Sequence, residues 1–549
     1  MIALAHSPLV GRIRGKPNEN AFARLLHINE IVGITRVDAD VSDLGRKWRA
    51  ALSQLGFIVP EVSAKIGVKQ GALGEPFTVT NNGNRLIAAE TVTGMQECFL
   101  RSLAAYYIPS ALERNYDFKM FSPLRHTLAI MLELEKKTGE SRLNFLEMGL
   151  IVQLTSSDQA LEGVIKQILT FRESREAAVS KRHFDQETLK KAAEKYGYVA
   201  STFGDYADTN FRYLKATGFV QSKGHGLAIV PEKHLFVEKL VQDSRIPESD
   251  SSYLVALCNG AALPTDNREA ALAVLKDLVD QTKRRGLKFA IEGKKLEQPG
   301  DIAVVRHEIE DLLFKQNEEE YASRQVSLSE EIAAYMELII TRRSRKTLSN
   351  GGEIELPLSE VPAYFEWILW RAFLAINSLA NKPYDARRFK IDQDFLPIGT
   401  APGNGPDLIF EFGEFVVVVE VTLTDNSWQE ACEGEPVRRH VADLVAVYGK
   451  PVYGLFIANN IDSNTAETFR IGVWYSREDS KMRLNIVPVT LTQFKEFFEA
   501  LFQANKVNVA SIRGLLDACG ELRQHHEAPA WKNEIERTLR VKISELVAA

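Results

Sequence analysis

The stretch from Pro406 to Thr424, PDLIFEFGEFVVVVEVTLT, constrains the fold more than any other part of the chain. Two strongly β-prone runs flank Gly413–Glu414, and a two-residue link of that kind closes an antiparallel hairpin. Glycine at the first central position is what a type II′ turn demands. With that turn Phe412 faces Phe415, and the register runs outward to set Asp407 directly opposite Glu420. Directly opposed residues hold their Cβ atoms about 4.5–5.5 Å apart. Two carboxylates at that distance repel, so the pair adds nothing to stability by itself. A divalent cation between them reverses the sign, because hard oxygen ligands are what Mg²⁺ takes. Four valines lead into Glu420 and make its strand a central one. By alternation Thr422 lies on the face of Glu420, while Val421 points into the core. The plainer alternative is that Asp407 and Glu420 sit at exposed strand ends and never meet.

Helix and strand patterns alternate around this hairpin. PAYFEWILWRAFLAINSL is an apolar helix with Pro362 near its start. After the hairpin come a helix (PVRRHVADLVAVYG), two strands (PVYGLFIANN, LNIVPVTL) and a helix (TQFKEFFEALFQ). This order predicts an α/β domain around a small mixed sheet. Glu366 sits within the apolar helix, where a carboxylate needs either solvent or a purpose. Glu433 and Glu435 follow the hairpin, and Arg438, Arg439 and His440 occupy the first turns of the next helix, whose start Pro436 sets near residue 436. Glu433 and His440 share a helix face only if that helix begins earlier. A histidine beside a phosphodiester acts as general base or positions water, and arginines grip the phosphate. Otherwise His440 is a surface or capping residue.

The N-terminal part reads as mostly helical with two units of one grammar. In the first, from about Leu44 to Ala88, GRKWRAALSQLGFI is an amphipathic helix with Trp48, Leu52 and Leu55 at helical spacing, closed by Gly56. The β-like PFTVT and NNGNRLI follow as an irregular ribbon. In the second, from about Asp185 to Val230, a helix stops at Gly197, another ends in Gly218, and QSKGHGLAIV forms a basic hairpin. Both units resemble a winged helix, whose second helix enters the major groove while the wing touches phosphate. Asn210, Arg212 and Lys215 are then groove-side candidates, with Lys223 and His225 on the wing. As plain packing modules the same units carry no such role.

A chain of 549 residues predicts three or four domains. The expected division is residues 1–180 and 181–235 for two recognition domains, 236–345 for a helical connecting domain, and 346–549 for the α/β domain. The polar, Gly- and Pro-rich SRKTLSNGGEIELPLSEVP serves as the interdomain linker. Net charge is −6, which excludes a uniformly basic coat but leaves room for a local DNA-binding face. Basic clusters occur at Lys283–Arg284–Arg285, Arg342–Arg343, Arg345–Lys346, Arg387–Arg388 and Arg438–Arg439; an ordinary solvated face accounts for any one of them. No apolar run reaches the roughly 20 residues of a membrane helix. The N-terminus lacks a secretory pattern, and the four cysteines lie too far apart for a disulfide framework or a structural zinc site. A cytoplasmic protein without membrane partners is expected.

The residues GTAPGNGPDLIFEFGEFVVVVEVTLT, continuing to EGEPVRRHV, resemble the catalytic core of AlwI-like type IIS restriction endonucleases and their nicking relatives, within the PD-(D/E)XK superfamily. The motif resemblance covers about residues 360–500. It implies a multidomain enzyme, with N-terminal winged-helix-like recognition units and a C-terminal α/β nuclease domain. It further implies Asp407 and Glu420 as Mg²⁺ ligands, with Glu433 (or Glu435) and His440 completing the site and Glu366 as the acidic residue of the preceding helix. Thr422 stands where lysine is usual in the superfamily, although the AlwI-like group shows E-V-T there. The implied activity is hydrolysis of double-stranded DNA outside an asymmetric recognition site. Cutting both strands then needs transient dimerisation or a small nuclease subunit as partner. The rivals are a nicking enzyme of the same fold, a structure-directed repair nuclease, and a DNA-binding regulator with a degenerate nuclease domain.

Overall fold

The chain divides into two compact units, residues 1–313 with Asp392–Asp394, and Phe314–Ile391 with Phe395–Ala549. The computed structural model describes residues 1–548 apart from 30, 35–38, 63–67, 114–116, 244, 377, 426 and 477. Both units are mostly helical. Among the described residues no helix is long and apolar enough to cross a membrane.

In the first unit, the helix Ser42–Gln54 buries Leu52, and Leu55 and Gly56 close it, the glycine at φ +67°. The ribbon expected after it does not form. Ile58 and Val79 make one isolated bridge, and NNGNRLI becomes the helix Asn81–Ala88. The hydroxyl of Thr80 accepts the Gly83 amide and caps that helix. A Cβ on Gly83 would lie 2.2 Å from the Phe57 carbonyl oxygen, so the helix seats where a wing was expected. The second segment keeps its predicted order. Helix Lys181–Tyr196 ends at Gly197 (φ +71°), and helix Ala200–Ala216 is followed by Gly218 (φ +69°). Strand β1 (Leu143–Asn144) joins the hairpin of β2 (Val220–Ser222) and β3 (Gly226–Ile229) in the order β1-β3-β2, all antiparallel.

In the second unit the Gly- and Pro-rich segment is not a linker. Its ends pair as a hairpin of β4 (Arg345–Thr347) and β5 (Glu353–Glu355), and Glu330 accepts from the Ser349 amide at 2.8 Å and its hydroxyl at 2.6 Å. The predicted mixed sheet is present. Strands β6 (Leu408–Glu411), β7 (Val416–Thr422), β8 (Val452–Ala458) and β11 (Asn485–Thr490) lie in the order β11-β8-β7-β6; only β6 runs antiparallel to its neighbour. A two-stranded appendage, β9 (Val473–Tyr475) and β10 (Lys481–Arg483), precedes β11. Val416 to Val419 are wholly buried.

The hairpin register is the one derived from sequence: Leu408 opposes Val419, Glu411 opposes Val416, and the Phe412 amide donates to the Phe415 carbonyl at 2.9 Å. The turn differs. Gly413 does not take the positive φ of a type II′ turn. The valine ladder and the Phe412–Phe415 ring stack (4.9 Å) hold the register instead. Val421 is half-buried at the margin of the core rather than inside it.

Alternation along β6 and β7 assigns the two sheet faces. Phe410 stacks on Phe373 of the helix Val361–Ile376 (centroids 4.2 Å apart). The other face, carrying Ile409, Val418 and Gly454, receives the helix Trp428–Val447. That helix begins eight residues before Pro436, which lies in its interior. The early start puts Glu433 and His440 on one helix, two turns apart.

Gly454 lets the helix approach: a Cβ there would meet Val441 Cγ2 and Ile486 Cγ1, each at 2.9 Å. Gly454→Ala is expected to cost about 1–3 kcal/mol through overpacking. Urea unfolding measures this, and an unchanged midpoint contradicts the tight seating of the helix that carries His440.

Candidate active site

The site grows from the open end of the hairpin. Leu408 and Val419 form the last regular pair, so the next position sets Asp407 across from Glu420. Asp407 Oδ2 accepts the Val421 amide at 2.8 Å. Glu420 is only 6% exposed. By alternation both acids lie on the face that receives the helix Trp428–Val447, and His440 Nδ1 of that helix is 2.7 Å from Glu420 Oε1.

The electrostatics are those of crowded acids. Burial, then the Glu420 charge, raises the Asp407 carboxyl well above its usual range; Glu433 adds to this, while the Val421 amide and His440 oppose it. Burial, then Glu433, raises Glu420 in the same direction, against the Asp407 amide and the charges of Arg388 and Arg439. His440 is lowered by burial and then by Arg439. A neutral imidazole that donates Nδ1–H to Glu420 leaves Nε2 as an acceptor. That Nε2 is buried and has no partner among the described residues.

The other candidates separate. Glu433 is half-buried and close enough for its charge to act on both acids, whereas Glu435 is exposed and paired with Arg439 at 3.2 Å. Arg438 turns to the Gly434 carbonyl and the Trp474 ring. Glu366 is 4% exposed and accepts the Ala401 amide at 2.7 Å, so it grips the loop leading to Asp407. No sequence signal marked Ala401, because this contact spans 35 positions. Thr422 is buried, and its hydroxyl accepts the Thr424 amide at 3.1 Å.

In the first unit, Asn210 is half-buried with its amide on Gln153, and Lys215 is ion-paired with Asp394. Arg212, paired with Asp208, and Lys223, paired with Glu140, are exposed, as is His225.

Among the described residues no three His, Cys, Asp or Glu side chains converge to enclose a metal ion by themselves. Asp407 and Glu420 nevertheless suit one that keeps part of its own shell. They are two hard, buried oxygen donors, and no lysine or arginine among the described residues forms an ion pair with either. Mg²⁺ is commonly held by one or two carboxylates plus waters and substrate phosphate.

The family described as AlwI restriction endonuclease matches residues 53–497. Among solved structures, the small subunit (R.BspD6I2) of the heterodimeric restriction endonuclease R.BspD6I is 24% identical and aligns over 38% of this chain and 97% of its own, with a TM-score of 0.29. No curated protein matches significantly.

The raised carboxyls have a stability consequence. An acid whose pKa is raised on folding stabilises the fold below its unfolded pKa, and that contribution is lost as pH rises through the folded value. In metal-free protein Asp407→Asn should therefore melt higher than the parent at pH 8 and close to it at about pH 4. Added Mg²⁺ should raise the parent's Tm and leave that of the variant nearly unchanged. Thermal unfolding at the two pH values, with and without Mg²⁺, checks both; a variant less stable at pH 8 contradicts the crowding.

Proposed function

Because the chain belongs to the AlwI restriction endonuclease family, and so to the site-specific nucleases that act on DNA, we propose that it is a type IIS enzyme cutting outside an asymmetric site. The observation that carries this reading is the buried Asp407–Glu420 pair with His440 hydrogen-bonded to it. The mixed sheet, with both acids at the open end of its antiparallel pair, supports a PD-(D/E)XK nuclease domain.

A divalent ion, Mg²⁺ in this reading, would be held by Asp407 and Glu420 and would supply Lewis-acid polarisation of the phosphate and a more acidic water. The remaining work falls to the chain. His440 fixes the orientation of Glu420 through Nδ1, and its open Nε2 accepts a proton from the attacking water. Glu433 adds negative charge that favours cation entry, and Glu366 holds the Asp407 loop in place through Ala401. The water oxygen bonds to phosphorus, the bond to the leaving sugar oxygen breaks, and that oxygen takes up a proton. Arg439, expected from sequence to grip the phosphate, is paired with Glu435 and lends the site only its charge.

For recognition, the helix–helix–hairpin segment 181–229 is read as a winged helix. Arg212, Lys223 and His225 are exposed enough to meet DNA, whereas Asn210 and Lys215 act by holding the segment's shape. One Asp407–Glu420 pair per chain cuts one strand. Double-strand cleavage therefore uses a second catalytic domain, from a transient homodimer or a smaller nuclease subunit.

Supercoiled plasmid incubated with the protein and Mg²⁺ tests the assignment. Linear product supports paired catalytic domains, and open circles support a nicking enzyme. Intact plasmid under all conditions overturns catalysis in favour of a DNA-binding regulator. Asp407→Ala and Glu420→Ala should abolish cleavage and leave DNA binding in place. His440→Ala should slow it by about 10²–10⁴-fold, the loss expected when a general base that also orients a metal ligand is removed. Either acid variant cutting at the parent rate refutes the site.

A further inference from the structure

We propose that Arg388 contacts the scissile phosphate and supplies the positive charge that the Asp407–Glu420 site lacks. This rests on the nuclease reading above, and it follows from a mismatch of charge. The site presents Asp407 and Glu420, with Glu433 close by, to a phosphodiester that is itself an anion and gains charge on oxygen as water adds. One divalent ion balances two carboxylates and no more. A cation from the chain is needed, and Thr422, which follows Glu420 on the same face of β7, offers only a hydroxyl already bonded to Thr424.

The backbone register puts Arg388 in the right place. Arg387 and Leu408 form an antiparallel bridge, so the next pair outward is Arg388 with Asp407. The same step on the other side of β6 reaches Glu420. Three segments thus bring Arg388, Asp407 and Glu420 into one row across the sheet end, on the face that receives His440. Adjacent residues point to opposite faces, which separates the two arginines of the pair seen in the sequence. Arg387 is locked in a fork with Glu318 at 2.7 and 2.8 Å and lies against the Trp370 ring. Arg388 is left for the site.

The guanidinium is also held. Its Nη1 donates to the Pro406 carbonyl at 3.0 Å and its Nη2 to Asn404 Oδ1 at 2.6 Å. A Cβ on Gly405 would lie 2.3 Å from Nη1, so glycine there is what lets the fork lie flat on the loop before Asp407. The rest of the fork remains for a phosphate oxygen. Arg388 is half-buried, and the Asn404 bond is at the surface where DNA would arrive. Its charge reaches both Glu420 and His440. The competing arginines are spoken for: Arg439 by Glu435, and Arg438 by Gly434 and Trp474.

Single-turnover cleavage of plasmid with Mg²⁺ tests this in the parent, Arg388→Ala, Arg388→Lys and Asp407→Ala. Arg388→Ala should be slower by about 10²–10³-fold, the usual loss when one group stabilising transition-state charge is removed. Its metal-free binding to uncut duplex and its Mg²⁺-dependent rise in Tm should stay as in the parent. Free guanidinium at millimolar concentration should restore part of its rate and do nothing for Asp407→Ala. Arg388→Lys should fall between, because a point charge replaces a fork. Arg388→Ala cutting within about threefold of the parent, with Asp407→Ala inactive, overturns the proposal and leaves the site reading standing. A slow Arg388→Ala that guanidinium does not rescue and that loses the Mg²⁺ response also overturns it, since Arg388 is then a strut for the loop. Asp407→Ala cutting at the parent rate points instead to failure of the site reading itself.

Discussion

Two carboxylates pressed together at the end of a buried sheet set the terms for the rest of the second unit. Asp407 and Glu420 repel each other and are shielded from the water that would weaken that repulsion. The arrangement persists because the surrounding sheet does not depend on it. Val416 to Val419 are wholly buried, and each such side chain contributes roughly 1.5–3 kcal/mol. The Phe410–Phe373 stack and the helix seated over Gly454 clamp the hairpin from its two faces. A carboxylate site at odds with its own charge is thus carried by a core that has none. In the proposed reading a cation would relieve this repulsion, so that metal binding and stability would be tied together.

The charges around the pair are sorted by backbone alternation rather than by proximity in sequence. Arg387 and Arg388 are neighbours, yet one closes a buried fork with Glu318 and the other faces the acids. Glu433 and Glu435 are two residues apart, and only the first acts on the pair while the second is held by Arg439 at the surface. His440 is the hinge of this pattern. It is held by Glu420 on one nitrogen and has the other open, so the helix that carries it connects the sheet to the chemistry.

Much of this was legible in the chain itself. The hairpin register, the opposition of Asp407 and Glu420 and the mixed sheet followed from local pattern, because strand alternation and apolar runs act over a few residues, while the family came from the resemblance of the motif around them. Errors came where local preference was overruled. Gly413 did not form the turn its type suggests, because the ladder and the Phe412–Phe415 stack already fixed the register. Thr80 capped a helix where a wing was expected, and packing of Gly83 against Phe57 secured it. Pro436 did not start its helix, because contacts with the sheet outweigh one lost backbone bond.

The Asp407–Glu420 hairpin was therefore determined by sequence alone: its two strands are adjacent, and a short link leaves one register that buries the valines. What surrounds the pair was decided only by tertiary structure. The action of Glu433 on the pair, the bond from His440 to Glu420, the grip of Glu366 on Ala401 and the approach of Arg388 join residues 13 to 35 positions apart. No periodicity within one element encodes such meetings. They follow from how the helices dock on the sheet, and docking is set by the shape of the whole core.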